Sequence, residues 1–215
     1  RSAHLAPERA RRPARAGAAG IGASTLAHAT CPLTKREARA GGLGQNLAED
    51  DDEARGQMLL AATYAGIGFG NAGVHLPHGM SYPVSGMVKD FVPEGYPTDH
   101  PIVPHGMSVI LTSPAVFRFT APTNPELHLS TAALMGAETS GVAPDDAGDL
   151  LAGVIVELMQ KTGMPNGLSA VGYGADDIDG LVEGTLPQHR VTKLSPRTAD
   201  ADALKQLFLD SLTCW

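Results

Sequence analysis

Five of the chain's eight histidines, His75, His78, His100, His105 and His128, fall between Gly73 and Ser130. Neutral imidazole is the commonest protein ligand for Zn2+ and suits Fe2+, so metal chemistry is the first thing such a cluster suggests. Four of the five flank a proline-rich stretch, and two stand directly before a glycine, as His78–Gly79 and His105–Gly106. Glycine beside histidine lets backbone and ligand come close. Spacing alone leaves two readings open. His75 and His78 form a one-turn ligand pair only if the stretch is helical, and Pro77 between them argues against that. Otherwise these are loop histidines hydrogen-bonded to backbone carbonyls.

The elements that must position these residues read as helices. Residues 53–66 are apolar or small around most of a helix, with acids ahead of them to suit the dipole, which predicts a buried helix. Gly66, Gly68, Gly70 and Gly73 follow, where backbones can approach each other or a ligand. Pro83, Pro93, Pro97, Pro101 and Pro104 predict an extended loop over 83–104. The apolar stretch 105–120 passes Pro114 as a helix only with a kink. Pro144, Asp145 and Asp146 open a further helix that runs to about Lys161 and stops at Gly163. Shorter helices are expected near 125–136, 175–184 and 199–213. No alternating strand pattern of useful length occurs, so the fold class is all-α.

Composition divides the chain. Residues 1–46 hold eight of the 16 basic residues and two of the 23 acids. Residues 1–48 are therefore expected to be irregular or disordered, and residues 49–215 to form the helical domain. Three readings compete for the first segment: an Arg-rich organelle transit peptide, a disordered linker, or a mistranslated stretch, of which the third is favoured. Arg rather than Met at position 1 fits a truncated or processed chain. A net charge of −7 argues against non-specific nucleic-acid binding, which needs clustered cations. No run of about 18 apolar residues is present, so no membrane span is expected. Cys31 and Cys214 stand at opposite ends of the chain, which argues against a disulfide framework and for a reducing compartment.

Longer motifs add to this. The run Gly66-Ile-Gly-Phe-Gly-Asn-Ala-Gly-Val-His-Leu-Pro-His-Gly-Met-Ser-Tyr-Pro83 resembles the metal-site segment of the iron-containing alcohol dehydrogenase family, in its hydroxyacid-oxoacid transhydrogenase branch. Asp99 to Val109 resembles the Pro-His-Gly element that follows it, and Leu111–Phe117 and Thr185–Leu194 are similar to the same branch. The resemblance covers about 165 residues, from Glu49 to Trp215. It implies the helical C-terminal metal-binding domain of the dehydroquinate synthase-like fold, with the N-terminal α/β nucleotide domain missing.

Family members hold one divalent metal, Fe2+ or Zn2+, through one Asp and three His. The resemblance carries two of these over, to His78 and His105, which lie 27 residues apart. Tyr82 stands where many relatives have a histidine beside nicotinamide and substrate; its hydroxyl either meets substrate or cofactor, or the ring is packed under the loop. His75 and His100 carry no family ligand role and read either as structural or as supports behind the ligands. The other two ligands come from an Asp-x-x-x-His helix, and this sequence has no such motif. Gly66 to Gly70 contains Gly-x-Gly-x-Gly, but no strand precedes it, as a dinucleotide fingerprint requires.

The implied reaction uses NAD in the complete enzyme. It oxidises a hydroxy acid such as 4-hydroxybutyrate or 3-hydroxybutyrate and reduces 2-oxoglutarate to 2-hydroxyglutarate. This chain alone is expected to be incomplete and inactive. Its expected partners are small hydroxy-acid and oxo-acid substrates, with no nucleic acid and no membrane; self-association into a homo-oligomer stays open. Lys89, Arg118, Arg190 and Lys193 are the cations available for a substrate carboxylate, with nothing to choose among them. A non-catalytic helical remnant and an NAD-dependent alcohol dehydrogenase of other specificity are the competing readings. Composition points to a bacterial cytoplasm, with the mitochondrial matrix as the alternative.

Overall fold

The computed structural model describes residues 52–96 and 98–215. The expectations for residues 1–48, and Cys31 with them, lie outside the described residues. No strand occurs among the described residues; helices stand where they were expected except that Leu76–Gly86 and His189–Thr192 are helical without having been predicted so. The first is α1, Asp52–Ala72. It runs through Gly66, Gly68 and Gly70, beyond the expected end at 66, because a helical glycine costs only about 1 kcal/mol relative to alanine. It stops at Gly73, whose φ of 76° no other residue type adopts easily and whose N–H returns to the Phe69 carbonyl at 2.7 Å.

The expectation that this helix is buried is overturned. Ala61 and Ala72 are buried, but Leu59 is 72% and Ile67 59% exposed. An apolar helix is buried only where a partner surface meets it, and the described elements meet α1 at few points. At Gly66 and Gly70 nothing lies near the place a Cβ would occupy, so the close approaches expected there do not form. The close approach comes at Gly73, where a Cβ would stand 2.4 Å from Leu194 Cδ1.

Helix α2, Leu76–Gly86, corrects a second expectation. It continues through Pro83 before the loop begins at Met87. Proline inside a helix forfeits one hydrogen bond, and here α2 is gripped by its neighbours instead. Tyr173 donates its hydroxyl to the Val84 carbonyl at 2.7 Å. Ser85 Oγ lies 3.0 Å from the Val103 carbonyl and 2.9 Å from Ser108 Oγ. The proline excursion is closed at its base, where the Ile102 N–H meets the Phe91 carbonyl at 2.8 Å.

The stretch 105–120 breaks rather than kinks. Helix α3, His105–Ile110, and helix α4, Ser113–Thr120, are separated by a turn at Leu111 and Thr112. Pro114 falls in the first turn of α4, where its missing N–H has no helical partner to lose. Helix α5, Pro125–Leu134, is capped by Asn124, whose side chain accepts from the Leu127 N–H at 3.1 Å. Pro144–Asp146 form a tight turn that leads into α6, Ala147–Lys161, as predicted, and Gly163 ends it with a φ of 68°. Helices α7, Ile178–Thr185, α8, His189–Thr192, and α9, Ala201–Asp210, complete the order.

The core is built from Leu76 and Met80 of α2, Leu111, Leu151 and Met159, and Leu181, Leu204 and Phe208 of the closing helices, all at most 2% exposed. Small residues set the spacing. A Cβ on Gly148 would stand 3.0 Å from the Arg118 backbone, and one on Gly184 2.6 Å from Pro83 Cβ, so α6 seats against α4 and α7 against α2 at these glycines. Among the described residues, no helix is long and apolar enough to cross a membrane.

Candidate metal centre

The turn at Gly73 hands the chain to His75, which precedes α2 as its N-terminal boundary residue. Pro77 falls in the first turn of α2. There a missing N–H costs nothing, so the proline that seemed to exclude a helix helps to start one. His78 and Gly79 both direct their N–H groups to the His75 carbonyl at 3.0 Å. His75 and His78 are thus joined by a helical turn, yet their rings diverge in environment. His75 is 8% exposed, and its ring meets Phe117 edge-on at 6.4 Å; His78 is half-buried.

His78 faces His105 instead. Their ring centroids lie 5.3 Å apart with the planes at 61°. His105 opens α3 after the extended residue Pro104. Ser108 donates to the His105 carbonyl at 2.8 Å and lies against Ser85, so one pair of hydroxyls ties the first turn of α3 to the end of α2. Ser85 and Ser108 carry no signal in the sequence: isolated serines 23 positions apart show neither a period nor a motif.

A simple geometric test bears on this pair. Two imidazoles sharing one tetrahedral ion through bonds of about 2.1 Å keep their ring centres about 5 Å apart. The observed separation fits, so His78 and His105 suit two places in one coordination sphere. They do not complete it. Among the described residues no group of three His, Cys, Asp or Glu comes together.

Electrostatics favours the ligating form of His78. Burial pushes its pKa below the ordinary value, and the neighbouring His105 pushes it the same way. His75 is lowered further, to about 4, by burial first and then by His78 and His128. Its Nδ1 is buried without a hydrogen-bond partner. His128 packs edge-on against the same Phe117 ring, at 6.1 Å. Its Nδ1 lies 2.9 Å from the Asn124 carbonyl and its Nε2 3.1 Å from Thr120 Oγ1, so it is a satisfied core histidine. His100 stands on the exposed loop against Asp99 at 2.9 Å, with no contact to the pair. Phe117, which meets both buried histidines, had no mark in the sequence beyond being apolar.

Tyr82 lies one turn after His78 on α2, which puts it on the same face. It is 37% exposed, and among the described residues its hydroxyl has no hydrogen-bond partner. The glycines beside the two histidines differ. A Cβ on Gly79 would stand 2.6 Å from Thr192 Cγ2, so protein fills that space rather than ligand; beside Gly106 the space is open. Two of the four candidate cations are committed elsewhere. Lys89 pairs with Asp177 at 2.6 Å, and Arg118 with Asp149 at 2.7 Å.

Comparison with known proteins follows the same lines. The profile described as Fe-containing alcohol dehydrogenase family, C-terminal, matches residues 40–212. A Dictyostelium discoideum protein named probable hydroxyacid-oxoacid transhydrogenase, mitochondrial, is 59% identical over 170 residues, 79% of this chain and 31% of that protein. The human hydroxyacid-oxoacid transhydrogenase, mitochondrial, is 54% identical over 163 residues, 76% of this chain and 35% of its own length. The chain thus spans about a third of the length of the curated relatives it matches. Among solved structures, a 1,3-propanediol oxidoreductase superposes with a TM-score of 0.67 at 25% identity, covering 94% of this chain and 53% of that one. An alcohol dehydrogenase from Oenococcus oeni gives 0.67 at 22% identity over 91% of this chain and 51% of its own, a likeness of fold alone.

Proposed function

Because the chain belongs to the Fe-containing alcohol dehydrogenase family, through its C-terminal portion, we propose that it is the metal-holding part of an oxidoreductase of the hydroxyacid-oxoacid transhydrogenase type. One observation carries the reading: the rings of His78 and His105 meet at 5.3 Å across the proline excursion. The names of the relatives supply the reaction class. In the complete enzyme a hydroxy acid such as 4-hydroxybutyrate or 3-hydroxybutyrate would be oxidised and 2-oxoglutarate reduced to 2-hydroxyglutarate, with NAD supplying the hydride carrier when bound.

When bound, Fe2+ or Zn2+ supplies a Lewis acid that polarises the substrate C–O bond. His78 and His105 would hold it, as neutral imidazoles. Tyr82, exposed on the same face, offers a phenol hydroxyl to substrate or cofactor. His75 and His128 stay in the core and hold the first turn of α2 against Phe117. NAD would serve the complete enzyme, and no residue of this chain is assigned to it. The mitochondrial names of the relatives favour the mitochondrial matrix over a bacterial cytoplasm for the complete protein.

Two ligands of an expected four make a weak site, because catalytic zinc centres use about three protein ligands and an open position. The chain alone should therefore bind metal loosely and turn over nothing. The second reading, a non-catalytic helical remnant, draws on the same shortage of ligands. Titration with Zn2+ or Fe2+ separates the two. We expect one weak equivalent, lost in both His78→Ala and His105→Ala. Binding that both variants retain, or none in the parent chain, would remove the metal-holding role. A version extended to the length of the relatives should turn over 2-oxoglutarate and 4-hydroxybutyrate without added NAD.

A further inference from the structure

Between α6 and α7 the chain passes through Asn166–Gly167. Of its four asparagines, Asn46, Asn71, Asn124 and Asn166, only the last is followed by glycine. Such a pair is chemically fragile, because a glycine nitrogen has no neighbouring side chain to shield it from the asparagine amide. The fold nevertheless demands glycine here. Gly167 has a φ of 73°, and a Cβ on it would stand 2.5 Å from the Leu212 carbonyl oxygen and 2.7 Å from that of Ser211. The Leu168 N–H meets the Ser211 carbonyl at 2.8 Å, and the Ser169 N–H meets the Leu212 carbonyl at 3.0 Å. The segment after α9 is thus laid directly on the backbone of residues 167–169.

The same segment holds the Asn166 side chain. Asn166 Oδ1 accepts from the Cys214 N–H at 2.8 Å and from the Trp215 N–H at 3.0 Å, and Nδ2 donates to the Trp215 carbonyl. Both ends of the amide are therefore engaged by backbone groups distant in sequence. The Gly167 N–H is occupied as well, directed at the Pro165 carbonyl at 3.0 Å. Attack of the Gly167 nitrogen on the Asn166 side chain needs the opposite arrangement. The amide must be free to swing its Cγ onto the nitrogen, and the nitrogen must be free to give up its proton.

We propose that Asn166 is a deamidation site that segment Ser211–Trp215 holds closed. When the segment lifts, the Gly167 nitrogen loses its proton and bonds to Asn166 Cγ, and the amide nitrogen departs with that proton as ammonia, leaving a succinimide. Water then opens the ring to aspartate or isoaspartate. One water is consumed, one ammonia is released, and no atom changes oxidation state. The product cannot close again in the same way. An aspartate carboxylate has no N–H for the Trp215 carbonyl and sets a negative charge against its oxygen. Isoaspartate lengthens the backbone by a methylene just where Gly167 already lies against Leu212. The modification therefore records, irreversibly, how often this segment opens.

The test ages the full chain at mildly alkaline pH beside two variants, and mass spectrometry of digests follows conversion of amide to acid at Asn166. Asn71, which precedes alanine, is followed in the same digests as an internal control. Trp215→Pro removes one N–H donor to Oδ1, and a chain ended after Thr213 removes both donors and the Trp215 carbonyl. Conversion at Asn166 should be about tenfold faster in the shortened chain and less accelerated in Trp215→Pro, with Asn71 unchanged in both. A synthetic peptide of residues 163–170 gives the unrestrained rate, which the parent chain should fall well below and the shortened chain should approach. Parent conversion as fast as the peptide's, or equal rates in parent and shortened chain, would overturn the proposal. So would equal acceleration at Asn71, since that marks loosening of the whole chain rather than release of this segment.

Discussion

His75 concentrates the consequences of burial in one side chain. Its pKa in the fold is about 4, set by burial and two neighbouring imidazoles, against 6.5 for an ordinary histidine. Between those values the unfolded chain binds a proton that the folded chain refuses, so stability rises with pH across that window. The contribution is complete above about pH 6.5, declines as pH falls, and is exhausted near pH 4. Its full extent is about 3 kcal/mol. Urea unfolding at pH 7 and pH 4.5 should show this loss, and His75→Leu should flatten it, since the substitution also removes a buried nitrogen that has no partner. Equal slopes in parent and variant would refute this account. The five histidines clustered in the sequence were visible as a group, but their sorting was not. His78 and His105 share a space, His75 and His128 are core, and His100 is solvent, because burial depends on which helix lies opposite.

At the scale of elements, α2 governs the site. It is held by α3 through Ser85 and Ser108, by Tyr173 at the Val84 carbonyl, and by α8 at Gly79. Removing the serine clamp loosens a polar contact that helps to fix His105 relative to the end of α2. Ser85→Ala should therefore cost about 1 kcal/mol in unfolding free energy and weaken metal binding more than that stability change alone accounts for. Calorimetry beside a Zn2+ titration measures both, and unchanged metal affinity would show the clamp to be idle. The helices around α2 were largely legible. Pro144 and Gly163 bound α6 as their chemistry requires, and Pro114 marks the start of α4. Pro77 and Pro83 misled because proline chemistry depends on position along a helix. In the first turn it costs nothing, and later its cost is offset by neighbours that a single segment does not reveal.

Across the whole molecule, the exposed side of α1 is the feature with physical consequences. Leu59, Leu60, Tyr64, Ile67 and Phe69 all lie at least 47% exposed on one helix. Such a surface should bind an apolar dye such as anilinonaphthalene sulfonate, and Ile67→Lys should reduce the fluorescence without lowering the melting temperature, because Ile67 contributes little to the core. A fall in melting temperature would mean that the side chain is covered in solution. By itself the sequence determined the all-α class, most of the helices and the family, since these follow from local propensity, turn residues and long motifs. It also supplied His78 and His105 as residues worth pairing. Only the tertiary structure decided that their rings meet, that Gly79 admits α8 rather than a ligand, and that α1 is exposed. Each of these depends on distances between residues far apart in the chain, and such distances are fixed by packing between helices, which no local pattern encodes.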